Sequence, residues 1–296
     1  MKIYDCFTYF DEKMLLNFRL NYLGKYVDKF VISEANYTHS GNPKKLNFNI
    51  NDYPKFKDKI IYIPVIKKPK GLHKVDSITN NTKNNSKLIL NGYLRENFQR
   101  NQLIKGLKEA EPNDLIIISD LDEIPNLEVV NLKNIKQKII FFKQKFLFYK
   151  FNLFYKNRIW YGSRACKKKF LLSPQWLRNI KGKKYSIFRP DIFYSIKKYN
   201  SVFFVENGGW HFTNLKTPKE IYYKFSNYLH HREFEHSNLT TKDINNMMKK
   251  NISIYNHEVD KSKSKFDAKV KLYKLPKKHL PNFLINNLSL YKKWII

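Results

Sequence analysis

Ten residues near the middle of the chain limit most strongly what it can become. Ile116-Ile117-Ile118-Ser119-Asp120-Leu121-Asp122-Glu123-Ile124-Pro125 runs from an apolar stretch straight into three carboxylates. A short apolar run suits a strand buried on both faces of a parallel sheet. Ligands of open α/β sheets bind outside the carboxyl ends of such strands, so the acids arrive where a ligand would sit. Two acids at i and i+2 converge if the chain turns there. Hard oxygen ligands of that kind suit Mg²⁺ or Mn²⁺ holding a diphosphate. The structural alternative is that Asp122 and Glu123 favour the N-terminus of a following helix, with Pro125 in its first turn.

Two enzyme classes place an Asp-x-Asp at a strand end. A haloacid-dehalogenase-type phosphatase carries it near the N-terminus, with Thr or Val where Ile124 stands, and needs a downstream acidic pair; the chain has no Asp-Asp. A nucleotide-sugar glycosyltransferase carries it after a nucleotide-binding half of about this length. The position near residue 120 favours the transferase.

The preceding pattern supports an α/β fold. Residues 2–7, 29–34 and 60–65 read as strands, and Leu15, Leu16, Leu20 and Leu23 mark a helix over 12–23. Residues 70–87 are polar and Asn-rich and read as a loop or insertion. Leu94, Phe98, Leu107 and Ala110 predict a helix over 91–110, before the strand at 115–119. Strand, helix, strand, strand, helix, strand argues a sheet flanked by helices. Beyond residue 135, aromatic strands are expected over 139–155 and another over 159–165, and Thr217-Pro218-Lys219-Glu220 opens a helix. No repeat or linker divides the chain. The expectation is one domain over 1–296: a nucleotide-binding half (1–125), an acceptor and catalytic half (126–240) and a C-terminal extension (241–296).

Composition narrows the class further. Lys plus Arg is 56 against 25 for Asp plus Glu, a formal charge of +31, with 42% hydrophobic residues in 296. That apolar content excludes a disordered chain. Two cysteines, Cys6 and Cys166, exclude a disulfide scaffold and paired-cysteine zinc sites. The charge suits an anionic membrane surface, an acidic glycan or nucleic acid. It equally suits compositional drift, since the lysines are scattered among many Asn, Ile, Phe and Tyr. A basic nucleic-acid-binding protein and a metal-dependent phosphatase are the rival functions, although no specific nucleic acid is expected. No run reaches the ~18 apolar residues of a membrane span. The start in strand-like sequence leaves no room for a signal peptide, so a cytoplasmic protein is expected.

Further blocks carry a resemblance. Asp5-Cys6-Phe7 with Tyr9-Phe10, the run Val27 to Gly41 (VDKFVISEANYTHSG), Arg95-Glu96 with Gln99-Arg100-Asn101, Ser119 to Pro125, Gly209-Trp210-His211-Phe212 and His231-Arg232-Glu233-Phe234 occur in this order. Together they resemble glycosyltransferase family 17, the family of the bisecting β-1,4-N-acetylglucosaminyltransferase of N-glycans. Ser33, where a hydrophobic residue is expected, and the Asn-rich insertion depart from the pattern. The start at the catalytic domain, without anchor and stem, suggests a bacterial or viral relative.

The resemblance implies a GT-A fold with a mixed central sheet, a nucleotide-sugar donor (UDP-GlcNAc), Mn²⁺ or Mg²⁺, a glycan acceptor and inversion. In that frame Asp120, Asp122 and His211 would hold the metal, with Asp120 facing ribose or metal. Glu34, Asn36 and Thr38 would meet uridine and ribose, unless they serve only the turn. Arg95 and Arg100 would meet the diphosphate or the acids, or pair with Glu96 or Glu109. Trp210 would stack on a sugar, or lie in the core. The base would be Glu233, then Glu206, then Asp191. His230, His231 and His236 flank Glu233 and Glu235 without zinc-site spacing.

Overall fold

The computed structural model describes residues 1–75, 82–229, 231–258, 265–266 and 269–296. The first half runs β1 (Ile3–Tyr9), α1 (Lys13–Leu23), β2 (Lys29–Ala35), β3 (Ile60–Val65), α2 (Thr82–Asn101), β4 (Leu115–Asp120) and β5 (Glu123–Pro125). Next come β6 (Ile139–Phe148), β7 (Leu153–Trp160), β8 (Arg164–Lys167), α3 (Pro174–Asn179) and β9 (Val202–Thr213). The chain continues through α4 (Pro218–Asn227), α5 (His231–His236), α6 (Thr241–Lys249) and β10 (Tyr273–Lys274).

Among the described residues these strands form one mixed sheet in the order β10-β7-β6-β8-β4-β1-β2-β3, with β9 pairing β5 and β6. The β4-β1-β2-β3 part is parallel, as the apolar runs predict. Across β8 the sheet turns antiparallel. Parallel neighbours point their carboxyl ends the same way, so Tyr9, Ala35 and Asp120 end up along one edge.

Two expectations shift. The helix expected over 91–110 begins earlier, at Thr82, and gives way to a 3₁₀ turn over Gln102–Leu107. Part of the Asn-rich stretch is therefore helical, while residues 76–81 lie outside the described residues. The strand expected over 159–165 is the end of β7 and the start of β8. The capped start of α4 is present: Thr217 accepts from Glu220 N–H, and Glu220 accepts from Thr217 N–H at 2.7 Å.

The main core lies where α1 meets the sheet. Leu16, Phe18, Leu20 and Leu23 are fully buried. Phe18 touches Phe151, Phe212, Phe283 and Tyr291 at centroid distances of 5.1–5.8 Å. Emptying such a site costs ~3–5 kcal/mol, so this packing holds the acid-bearing edge against the C-terminal segment. No helix among the described residues is long and apolar enough to cross a membrane.

Candidate active site

The strand end at Asp120 is shaped by an arginine buried in the core. Asp5 lies inside apolar β1 and needs a partner. Arg19, on the otherwise apolar face of α1, supplies it with two bonds of 2.7 and 2.6 Å, both side chains fully buried. The remaining nitrogen of Arg19 donates to the carbonyls of Asp120, Leu121 and Glu123 at 3.2, 3.1 and 2.7 Å. A fixed cation thus gathers three carbonyls and forces the turn that separates the acids. An acid in a strand and an arginine among leucines were the available sequence signals for this pair.

The opposite wall comes from β9. Gly209 has φ +131°, and a Cβ there would collide with the Ile124 carbonyl. Gly208 and Gly209 let β9 bulge past β6 and pair with β5, setting His211 opposite Glu123 and Trp210 opposite Ile124. The Gly-Gly-Trp segment is therefore strand. Strand alternation then sends His211 towards Asp122 and Trp210 the other way. His211 Nε2 stands 3.4 Å from Asp122 Oδ1, and its ring stacks on Trp160 at 4.6 Å.

The acids divide into two environments. Asp120 is gripped by Arg100 at 2.9 Å and Arg178 at 2.8 Å, one on each carboxylate oxygen. Arg178 also holds the fully buried Glu123 at 2.7 Å, and Trp160 Nε1 donates to Glu123 at 2.7 Å. Burial opposes ionisation of Asp120, but Arg178 and Arg100 outweigh it and hold the carboxyl far below its ordinary value. Among the described residues no arginine pairs with Asp122. Burial raises its pKa, the His211 and Lys224 charges lower it, and the lowering wins. Lys224 Nζ, from α4, lies 3.6 Å from Asp122 Oδ2. Its own pKa rises, since Asp122 and Glu12 outweigh burial.

Asp120, Asp122 and His211 all line one cavity of about 360 Å³. Thr8, Tyr9 and Phe10 enter from the end of β1, Ala35 and Tyr37 from the end of β2, and Glu12, Glu96, Arg100 and Lys224 complete its polar wall. Asp120, Asp122 and His211, expected as metal ligands, differ in what already holds them. Both Asp120 oxygens are taken by arginines, and no group of three His, Cys, Asp or Glu suited to a metal ion occurs among the described residues. Asp122 Oδ1 and His211 Nε2, 3.4 Å apart, are near enough to act as neighbouring ligands of one small cation.

Several residues singled out from the sequence lie elsewhere. Glu34 is fully buried and accepts from Lys44, from the N–H groups of Asn47 and Phe48 at 2.7 and 3.0 Å, and from Tyr62 Oη at 3.0 Å. Asn36 faces the carbonyls of Val65 and Ile66, and Thr38 Oγ1 accepts from Gly41 and Asn42 N–H. These three fold the loop, while Ala35, Tyr37 and His39, one step out of phase, reach the cavity. The alternation was readable, but only relative to a known edge. Arg95 donates to the His39 carbonyl at 3.0 Å and supports the loop from behind. Arg100 meets both alternatives foreseen for it that involve acids, Asp120 and Glu96.

Trp210 sits in the core against Tyr22 and donates to the His279 carbonyl at 2.7 Å, away from the cavity. Glu206 is exposed and pairs with Lys143, and Asp191 pairs with Arg189 and Lys198. Glu233, on α5, is not among the cavity-lining residues. His230 lies outside the described residues. Arg19, Arg178, Lys224 and Glu12 had escaped sequence reasoning; the last three sit in no local pattern that marks them.

The profile of Glycosyltransferase family 17 matches residues 1–295. The chain belongs to glycosyltransferase family 17. Over 115 residues it is 30% identical to the beta-1,4-mannosyl-glycoprotein 4-beta-N-acetylglucosaminyltransferases of Homo sapiens and Rattus norvegicus. The enzyme of that name from Mus musculus is similar to the same degree. The match covers 38% of this family 17 chain and 19% of each relative.

Proposed function

We propose that this family 17 enzyme is a GT-A-type transferase that moves N-acetylglucosamine from UDP-GlcNAc to a glycan hydroxyl with inversion. The observation that carries this reading is the Asp122–His211 pair beside Lys224 on the wall of a cavity at the carboxyl ends of parallel strands. The names of the similar relatives supply the sugar. Tyr9, Phe10 and Tyr37 offer aromatic surface for the nucleoside at the ends of β1 and β2. Lys224 supplies a fixed positive charge for the diphosphate.

Asp122 and His211 would hold Mn²⁺ or Mg²⁺, which when bound offsets charge on the departing diphosphate. The chain's own residues do the rest. Arg100 and Arg178 neutralise Asp120 and keep it from repelling an anionic donor. Among the described residues four carboxylates line the cavity, and Glu12 stands farthest from a cation, with Lys216 Nζ 4.0 Å away. Burial raises its pKa, yet Lys216 and Lys224 outweigh burial and keep it ionised. Glu12 replaces Glu233 as the base. It accepts the proton of the acceptor hydroxyl while that oxygen bonds to the anomeric carbon and the diphosphate leaves with the electron pair of the broken bond. A single-domain organisation over 1–296, acting on soluble or surface-bound glycans, goes with this reading.

Thermal unfolding with UDP-GlcNAc tests it. With Mn²⁺ present, donor at a hundred times its Kd should add about 2.7 kcal/mol of stability, and EDTA should erase the gain. An equal gain without a cation would remove the cation from the reading. A gain only with another nucleotide sugar would change the donor.

A further inference from the structure

Between α3 and β9 the chain makes an excursion over residues 181–200 that the transfer reaction leaves unused. Phe188, Phe193 and Tyr194 are 89%, 75% and 92% exposed, and Ile187 and Ile196 stand out beside them. Soluble surfaces seldom gather so many large apolar groups without a partner. The excursion is nevertheless an ordered element. Lys181 N–H donates to the Lys197 carbonyl at 2.9 Å and Tyr185 N–H to the Tyr199 carbonyl at 3.2 Å. Asn200 donates to the Tyr185 carbonyl at 2.8 Å, and Trp176 Nε1 to the Ile196 carbonyl at 2.8 Å. A 3₁₀ turn over Pro190–Ile192 supports the tip.

Charge surrounds the apolar tip. Lys181, Lys183, Lys184, Arg189, Lys197 and Lys198 stand against one acid, Asp191, a balance of 6 − 1 = +5 over residues 181–200. Asp191 is paired with both Arg189 and Lys198, so it presents no free negative charge. Burial of exposed aromatics inside a ring of cations is what a bilayer with anionic headgroups accommodates. Rings settle at the level of the headgroups, and lysines extend to the phosphates. We propose that residues 181–200 dock the enzyme on an anionic lipid bilayer, with Phe188, Phe193 and Tyr194 inserted at the interface. A second copy of this chain is a poorer occupant, because the same face would set +5 against +5.

Flotation of the full chain with phosphatidylcholine vesicles, with and without phosphatidylglycerol, tests this. At low salt the overall charge binds any anionic surface, so the deciding arm is high salt, where screening removes the charge contribution alone. Wild type should float with the phosphatidylglycerol vesicles and not with pure phosphatidylcholine at low salt, and should keep part of its flotation with the phosphatidylglycerol vesicles at high salt. The variant Phe188→Ser with Tyr194→Ser keeps every charge and should lose at least about tenfold in binding at high salt, with an unchanged melting temperature. Separately, the Phe188→Trp variant should shift its emission to the blue on adding phosphatidylglycerol vesicles. The proposal fails if the double variant floats like wild type or if the emission of the Phe188→Trp variant does not move when vesicles are added. It fails equally if wild type does not float at high salt, whether or not it forms a dimer that the double variant abolishes.

Discussion

Asp120 and Asp122 are two residues apart, yet one belongs to a braced region and the other to an open one. Around Asp120 the structure spends two arginines, and the same Arg178 ties in Glu123. Around Asp122 it leaves a histidine and a lysine at 3.4 and 3.6 Å, distances too long for tight hydrogen bonds. Neighbouring acids of one motif thus take separate tasks. The braced side fixes the turn and offsets its charge, while the other side keeps a carboxylate that no short ion pair holds.

The largest expected effect lies on the open side. Asp122→Asn should lower kcat by about 10³-fold or more, the scale of losing a charge aimed at the reacting centre. It should leave the urea midpoint near wild type, since no tight ion pair is broken. A variant that is both active and unstable would reverse the roles given to the two acids. Glu12→Gln comes next, with turnover falling by ~10²–10⁴-fold while donor binding by calorimetry stays intact. Retention of more than about a tenth of wild-type turnover would take Glu12 out of proton transfer.

On the braced side stability should fall instead. Arg178→Met strips the buried Glu123 of its cation and should cost about 3 kcal/mol in urea unfolding. If the loss were within a few tenths of a kcal/mol, Arg178 would not be a brace and a role towards the donor would have to be considered. The smallest effect is in pH dependence. Asp120, Asp122, Glu12 and Glu96 all have lowered pKa values. Below about pH 4 the unfolded chain therefore binds more protons than the folded one, and stability falls as pH drops. In Arg178→Met the lowering at Asp120 shrinks, so the loss between about pH 5 and pH 3 should be shallower than in wild type. Urea midpoints across that range measure it.

Much of the fold follows from local pattern. The apolar runs at 29–34, 60–65 and 115–119 became β2, β3 and β4 within a residue or two, because a run that can only be buried between neighbours has one sensible conformation. The capping residues of α4 likewise carry their own geometry. The loop after β2 shows where pattern stops: Glu34, Asn36 and Thr38 have the chemistry of ligands, yet their phase on the strand turns them into the loop's own hydrogen bonds.

Sequence alone determined that an apolar strand would deliver Asp120, Asp122 and Glu123 to a sheet edge, since that depends on neighbours along the chain. Which acid is braced by arginines follows from the packing of distant elements. Arg19, Arg100, Arg178, His211 and Lys224 come from α1, α2, α3, β9 and α4, and nothing in the spacing of residues so distant says which will meet which carboxylate. Their partners are set by the bulge at Gly208-Gly209 and by the packing of helices on the sheet, and a charge acts on an acid only at the short distances this packing creates.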